Sequence, residues 1–295
     1  MFKKATKLSL ALGLTFALAA CGSGEKSGTS PATVGESVDY KITGIDPGAG
    51  IMKATATAIE EYDLKDWKLI EGSGAAMTAS LKKAYDKKEP IIITGWTPHW
   101  MFSKFDLKYL EDPKGVYGGE ESIHTIARNG LKADLPGAYT VLDQFTWTPA
   151  DMGIVMSSIQ DGSSPEEAAT TWIEGNAEKV AEWTKDAAKG NGEEVNLAYV
   201  AWESEIASTN VVAQVLESLG YKVTLRQVEA GPMWAGVADG SVDAHLAGWL
   251  PLTHKDQAEK FKGKYEDLGV SLKGAKTGLV VPKYMDINSI EDLKK

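Results

Sequence analysis

The sequence predicts an α/β protein built from two similar units, and two observations carry that prediction. The string Gly-Trp-x-Pro occurs twice, as ITGWTPHW around Trp96 and LAGWLPLTH around Trp249, each time after a short apolar run. The stretches leading into the copies follow one plan: ITGIDPGAGIM opens into an Ala-rich helical pattern, and LAYVAWESEIASTN opens into another. A plan met twice in one chain marks an internal repeat. Two α/β units that each end a strand on a tryptophan bring aromatic side chains together across a cleft, at the strand ends where open α/β sheets bind ligands.

The chain opens with Lys3, Lys4 and Lys7, continues through an apolar run from Leu8 to Ala17 and closes on Leu18-Ala19-Ala20 before Cys21. Residues 1–20 therefore read as a signal peptide; the apolar run is too short for a spanning helix, which needs ~20 residues. Cys21 is the only cysteine, which excludes an intrachain disulfide or a multi-Cys metal site. Its place after Leu-Ala-Ala resembles the lipobox of bacterial lipoproteins, in which that thiol receives a lipid; an ordinary secretory signal with an incidental cysteine is the other reading. Small polar residues follow in GSGEKSGTSPATVGES, so 21–37 is expected to be a lipidated Cys and flexible tether. The rest is long enough for two modest domains.

Tyr40-Lys-Ile-Thr-Gly-Ile reads as a strand, Asp46-Pro-Gly-Ala-Gly as a turn and Ile51 to Tyr62 as a helix. Trp67-Lys-Leu-Ile is a second strand, Ala75 to Tyr85 a second helix, and Pro90-Ile-Ile-Ile-Thr-Gly a third strand ending at Trp96, apolar enough to be parallel and covered on both faces. After Glu111-Asp-Pro the plan changes. Ile123-His-Thr-Ile-Ala suggests a strand crossing between units, and helices are expected from Pro136, over Pro149 to Ile159, and from Ser164 to near Lys189.

The second unit begins with Val195-Asn-Leu-Ala-Tyr-Val. It continues with a helix over Ser208 to Leu219, a strand over Lys222 to Val228, a helix around Trp234 to Val237 and a strand ending at Trp249. The segment from Leu272 reads as a strand containing Gly-Leu-Val-Val-Pro, then a short helix from Ser289. A tail returning to the first unit divides the body into lobe I (38–120 plus 275–295) and lobe II (121–274).

The formal net charge is −10, which disfavours a polyanionic partner, nucleic acid included. Arg128 and Arg226 are the only arginines, so the usual bidentate reader of carboxylate or phosphate is scarce. No G-x-S-x-G, H-E-x-x-H, Walker A or complete dinucleotide fingerprint occurs. Asp46, Glu203 and Glu205 fall on expected loops, where carboxylates serve as solvated turn or cap residues. No enzyme, metal or cofactor is expected.

The glycines of GIDPGAG and EGSGAA each precede a helical pattern, which suits an anion at a helix start as well as plain turn chemistry. Of the four histidines, 99, 124, 245 and 254, His254 lies just past the second Gly-Trp-x-Pro string, and His99, crowded by Trp96 and Trp100, is the weaker candidate. Among nine tryptophans, Trp172 and Trp183 fall in helical patterns and Trp67 begins a strand, whereas Trp96, Trp202 and Trp249 each stand at the end of an apolar run beside a loop. Three such indoles form a cage suited to a methylated cation, which offers no N–H for a salt-bridge hydrogen bond and is held by ring quadrupoles and apolar contact. The N–H groups of Gly50 and Ile51 at a helix start, with a His254 ring N–H, suit a carboxylate without arginine.

GIDPGAGIM, IIITGWTPHWMF, YLEDPK, LAYVAWESEIASTN, VEAGPMW and AGWLPLTHK closely resemble the glycine betaine-binding lipoproteins of osmoprotectant ABC importers in Gram-positive bacteria, over essentially the whole mature chain. The resemblance implies a two-lobed, type II periplasmic-binding-protein-like fold. It also implies a lipid anchor at the extracytoplasmic face of the membrane, and delivery of a betaine to a permease with a cytoplasmic ATPase. It carries the ammonium cage onto Trp96, Trp202 and Trp249 and the carboxylate contacts onto Gly50, Ile51 and His254. Proline betaine is a further expected ligand, and a choline or carnitine-type quaternary ammonium binder is the alternative. Pocket size, set in part by neighbours such as Met77 and Met233, decides among betaines.

Overall fold

The computed structural model describes residues 33–294; the expected signal peptide, Cys21 and most of the expected tether lie outside the described residues. The described chain starts on helix α1 (Val34–Ser37), where the Thr33 hydroxyl accepts from the Glu36 amide and Glu36 reaches back to the Thr33 amide. The end of the expected tether is thus helical, because Thr-x-x-Glu forms a capping box that composition alone does not reveal.

The first unit runs β1 (Lys41–Thr43), α2 (Gly50–Glu61), β2 (Lys68–Ile70), α3 (Gly74–Lys87) and β3 (Ile93–Thr97). After α4 (Met101–Lys104), β4 (Leu107–Tyr109) and β5 (Glu121–Arg128) come helices α5 (Leu131–Asp134), α6 (Pro136–Gln144), α7 (Pro149–Gln160), α8 (Pro165–Gly175) and α9 (Ala177–Trp183). The second unit is β6 (Glu194–Tyr199), α10 (Glu203–Ser218), β7 (Lys222–Gln227), α11 (Ala230–Asp239) and β8 (Ala244–Leu250). Then follow α12 (Lys255–Lys260), β9 (Tyr265–Pro282) and a 3-10 turn over Ile290–Lys294.

Both units place their strands in the same parallel order, second-first-third: β2-β1-β3 and β7-β6-β8. The repeat read from the two Gly-Trp-x-Pro strings is therefore a repeat of topology, and the X-Pro bonds Thr97–Pro98 and Leu250–Pro251 are both cis. Strand alternation puts glycine and tryptophan of each string on opposite faces. The glycine side is packed tightly, since a methyl at Gly95 would come 2.6 Å from Val280 and one at Gly248 2.7 Å from Ile126.

β9 joins the units. Tyr265 to Ala275 pair antiparallel with β5, which pairs with β8 on its other side; from Lys276 onward the same strand pairs with β3 and β4. Beyond it, Leu293 accepts from Trp67 Nε1 at 3.2 Å, tying the end of the chain to the start of β2. β9 begins seven residues before the expected Leu272. Its first part is polar and interrupted by Gly269 at φ 102°, with register shifts opposite His124 and Ile126, so it lacks a strand's alternation.

Two helices also differ from expectation. α10 starts at Glu203 instead of Ser208, because buried Glu205 accepts the Val200 amide at 3.0 Å and lets the helix begin as soon as the strand ends. Glu203 and Glu205 are thus helical residues, not solvated loop carboxylates. The single helix expected from Ser164 to Lys189 is two, broken at Asn176, whose Nδ2 donates to the Trp172 carbonyl at 2.8 Å. The break folds α9 back, so that Trp183 stacks on Trp172 with centroids 5.6 Å and planes 10° apart while Trp147 meets Trp172 edge-on. Trp183 is fully buried, and its Nε1 donates to the Thr146 carbonyl at 3.0 Å. Trp183→Ala should therefore cost about 3–5 kcal/mol of unfolding free energy in urea melts, and a loss under about 1 kcal/mol would contradict its role in packing these helices.

Candidate ligand-binding site

Each repeat delivers one indole from the end of its third strand. Trp96 leaves β3 and is met edge-on by His99, ring centroids 4.6 Å apart. Trp249 leaves β8, whose neighbour across the ladder is Ile123. A third indole comes from the end of β6: Trp202 has extended backbone, caps α10, and donates its Nε1–H to Asp46 of the β1–α2 loop at 2.8 Å. All three are at most 6% exposed.

The start of α2 borders the same space. Its cap, Ala49, has no side chain able to accept, and neither the Gly50 nor the Ile51 amide meets an acceptor among the described residues, as expected for the first turn of an uncapped helix. The β8–α12 loop closes over this point. A methyl at Gly50 would come 2.2 Å from the Thr253 carbonyl oxygen, so only glycine permits the approach. Thr253 is itself pinned: buried Glu121 accepts its amide at 2.9 Å and the Leu252 amide at 3.2 Å, and also takes the Thr253 hydroxyl.

His254 is fully buried and bonded twice to Trp249: its amide donates to the Trp249 carbonyl at 2.9 Å, and its Nδ1 accepts the Trp249 amide at 3.2 Å. With Nδ1 occupied as an acceptor, the neutral ring carries its proton on Nε2, and Nε2 has no hydrogen-bond partner. Burial lowers the His254 pKa to about 4, against a smaller opposing pull from the Ala247 backbone. The ring is therefore a neutral donor at physiological pH. It lies nearly parallel to Trp202, centroids 6.0 Å apart.

Trp96, Trp202, Trp249, Gly50, Ile51 and His254 all line one cavity, which is partly open to solvent. Five further residues complete it: Ile45, Ala49, Ser204, Thr253 and Thr277. None of the eleven carries a formal charge. Both arginines are engaged elsewhere, Arg128 with Asp243 and Asp134 and Arg226 with Asn196.

The family model for the substrate-binding domain of ABC-type glycine betaine transport systems matches residues 25–175 and 193–295. The chain belongs to this family. It is 56% identical over 297 residues, covering 100% of this chain and 99% of the relative, to the glycine betaine/carnitine transport binding protein GbuC of Listeria monocytogenes. The glycine/betaine/L-proline-binding protein of Borrelia burgdorferi is 36% identical with a TM-score of 0.50, over 52% of this chain and 58% of that one. Lactococcal OpuAC, solved closed with glycine betaine, is 53% identical with a TM-score of 0.49, over 50% of this chain and 58% of that one. This chain has the two-lobed α/β architecture of periplasmic-binding-protein-like proteins.

In this betaine-transport substrate-binding domain the sequence motifs delivered six of the lining residues and passed over five. Thr253 sits inside the second repeated string, where a threonine before histidine carries no distinctive signal. Ser204 belongs to the first turn of α10, which begins before the expected Ser208, and Thr277 lies within the expected strand, where a lone threonine carries no distinctive signal. Asp46, read as a solvated turn residue, instead orients Trp202. His245 is fully buried beside Trp234, Met77 and Met233 are buried, and none of the three lines the cavity; His124 pairs with Asp267 between β5 and β9.

Burial pushes His245 well below its ordinary pKa too, and raises the Glu205 carboxyl well above the carboxylate range. The signs oppose. For His254 the unfolded chain binds a proton below pH 6.5 that the folded chain takes up only near pH 4, so this group's contribution is full above pH 6.5 and is lost as pH falls to about 4. Glu205 keeps its proton to higher pH in the folded chain than in the unfolded one, so its contribution is present below pH 4.5 and is lost as pH rises through its elevated folded pKa. A residue-specific probe separates them: the His254 ring resonances should show no titration between pH 8 and 5, with the proton on Nε2 throughout. A midpoint near 6.5 would overturn the buried neutral donor.

Proposed function

We propose that the cavity binds glycine betaine, with the trimethylammonium among Trp96, Trp202 and Trp249 and the carboxylate on the Gly50 and Ile51 amides and His254 Nε2–H. One observation carries this reading: three buried indoles share an uncharged cavity with three N–H donors that have no acceptor of their own. An uncharged cavity matches a ligand of no net charge, and indoles answer a cation that cannot donate hydrogen bonds. Choline carries an uncompensated charge and leaves the donors unused. Carnitine keeps both charged ends, and the name of the Listeria relative includes it; it stands with proline betaine as a second ligand.

The lobes are 38–120 plus 275–295 and 121–274; the change of β9 partners between Ala275 and Lys276 supports this division. The cavity takes residues from both: Gly50, Ile51, Trp96 and Thr277 from one, Trp202, Trp249 and His254 from the other. Ligand therefore favours the closed arrangement, in which both sets meet. The protein acts as the extracytoplasmic receptor of an ABC importer, handing ligand to the permease and its ATPase for osmoprotection without altering it. Residues 1–20 are removed and Cys21 is lipidated, holding it to the membrane. Among the described residues no helix is long and apolar enough to cross a membrane.

By calorimetry, glycine betaine should bind saturably while choline and glycine bind far more weakly. Ala at Trp96, Trp202 or Trp249 should each weaken binding about tenfold or more, from a cation–π loss of up to ~2 kcal/mol plus lost contact area. Equal affinity for choline would move the assignment to a quaternary ammonium receptor. No heat with any betaine would remove the cage reading. Cys21→Ser should shift the protein from the membrane fraction to the medium of expressing cells, and retention at the membrane would exclude the lipid as anchor.

A further inference from the structure

The amino end of α10 meets the first repeat at three points, two of them through Glu203. Trp202 reaches Asp46 in the loop after β1. Its neighbour Glu203 lies over the first residue of α3, where a methyl at Gly74 would come 3.0 Å from Oε2. The same oxygen is 3.4 Å from His99 Nε2. His99 Nδ1 accepts the Met101 amide at 3.1 Å, so the neutral ring carries its proton on Nε2, facing the carboxylate. The pair is incomplete: His99 is 5% exposed, and neither its Nε2 nor Glu203 Oε2 has a hydrogen-bond partner. A carboxylate at the start of the 14-residue α3 is also favoured by the positive end of that helix.

We infer that Glu203 is the latch of the closed state: its carboxylate docks from the second repeat into a receptor made by the amino end of α3 and His99 on the first, and thereby sets how long ligand is held. This rests on the reading that the two lobes close over a betaine. Glu203 is absent from the cavity wall, so it is a positioning residue and not a ligand contact. It nevertheless touches the cage at both ends, through the chain to Trp202 and through His99 to Trp96, whose rings are 4.6 Å apart. Closing the 3.4 Å gap by a few tenths of an ångström gives a charge-assisted hydrogen bond of ordinary length. Latch and cage therefore engage together.

The test compares wild type, Glu203→Gln and Gly74→Ala by stopped-flow binding of glycine betaine, with small-angle scattering in the presence and absence of ligand. Gln keeps the size of Glu203 and removes its charge; the added methyl at Gly74 wedges the receptor and leaves Glu203 itself unchanged. Both variants should release glycine betaine about tenfold faster or more, the scale of a lost hydrogen bond to a charged group, with association within about threefold of wild type. Both should also show less compaction at subsaturating ligand. Wild-type dissociation rates in both variants, even with lowered melting temperatures, would make Glu203 a merely structural residue and overturn the latch. A wild type that binds no glycine betaine would overturn the ligand reading and the latch with it, whereas binding wild type with unchanged variants overturns the latch alone.

Discussion

The paired hydrogen bonds between Trp249 and His254 hold the site together. One bond takes the Trp249 amide onto His254 Nδ1, and the other takes the His254 amide onto the Trp249 carbonyl. Together they close the turn after β8, fix the ring's tautomer and leave Nε2–H as a donor, while burial keeps the ring neutral. The same turn carries Thr253, which Glu121 pins from β5 and which packs on Gly50 at the start of α2. Indole, imidazole and helix start are thus fixed by one short loop and two hydrogen bonds. This is the kind of preorganisation that reduces the ordering cost of binding.

The two repeats use the same string for different ends. In both, a tight glycine and an inward tryptophan finish the third strand, and a cis proline turns the chain away. In the second repeat the histidine lies five residues after the tryptophan and lines the cavity. In the first it lies three residues after, bonds the Met101 amide, and faces Glu203 outside the cavity wall. Spacing within the loop turns the same side chain from a cavity donor into a contact between repeats.

Charge is kept at one remove from the cavity. Asp46 stands behind Trp202, Glu203 beside His99, and Glu121 beneath Thr253, each bonded to or facing a group that shapes the wall without reaching it. A carboxylate inside would compete with a ligand's own anion, and an arginine would repel its cation. On the proposed betaine assignment, a wall free of both leaves selection to indole rings and N–H dipoles.

The repeat, the α/β class, the starts of α6, α7 and α8 and the three strand-end tryptophans were legible in the chain. Local periodicity and turn chemistry specify them without long-range help. Gly50, Ile51 and His254 were legible as donors for the same reason: a helix start after glycine and a histidine beside a repeated motif are local features. The first half of β9 was not, since a polar strand interrupted by Gly269 exists only through its pairing with β5. Nor was the break at Asn176, decided by the stacking of Trp183 on Trp172. Thr277, Ser204 and Thr253 entered the cavity wall, and Asp46 and Glu203 took their partners, only when segments more than a hundred residues apart were brought together. A sequence records which groups can donate, accept or pack; which of them meet depends on tertiary contacts, because hydrogen bonds and van der Waals contacts act over a few ångströms and chain separation does not encode that distance.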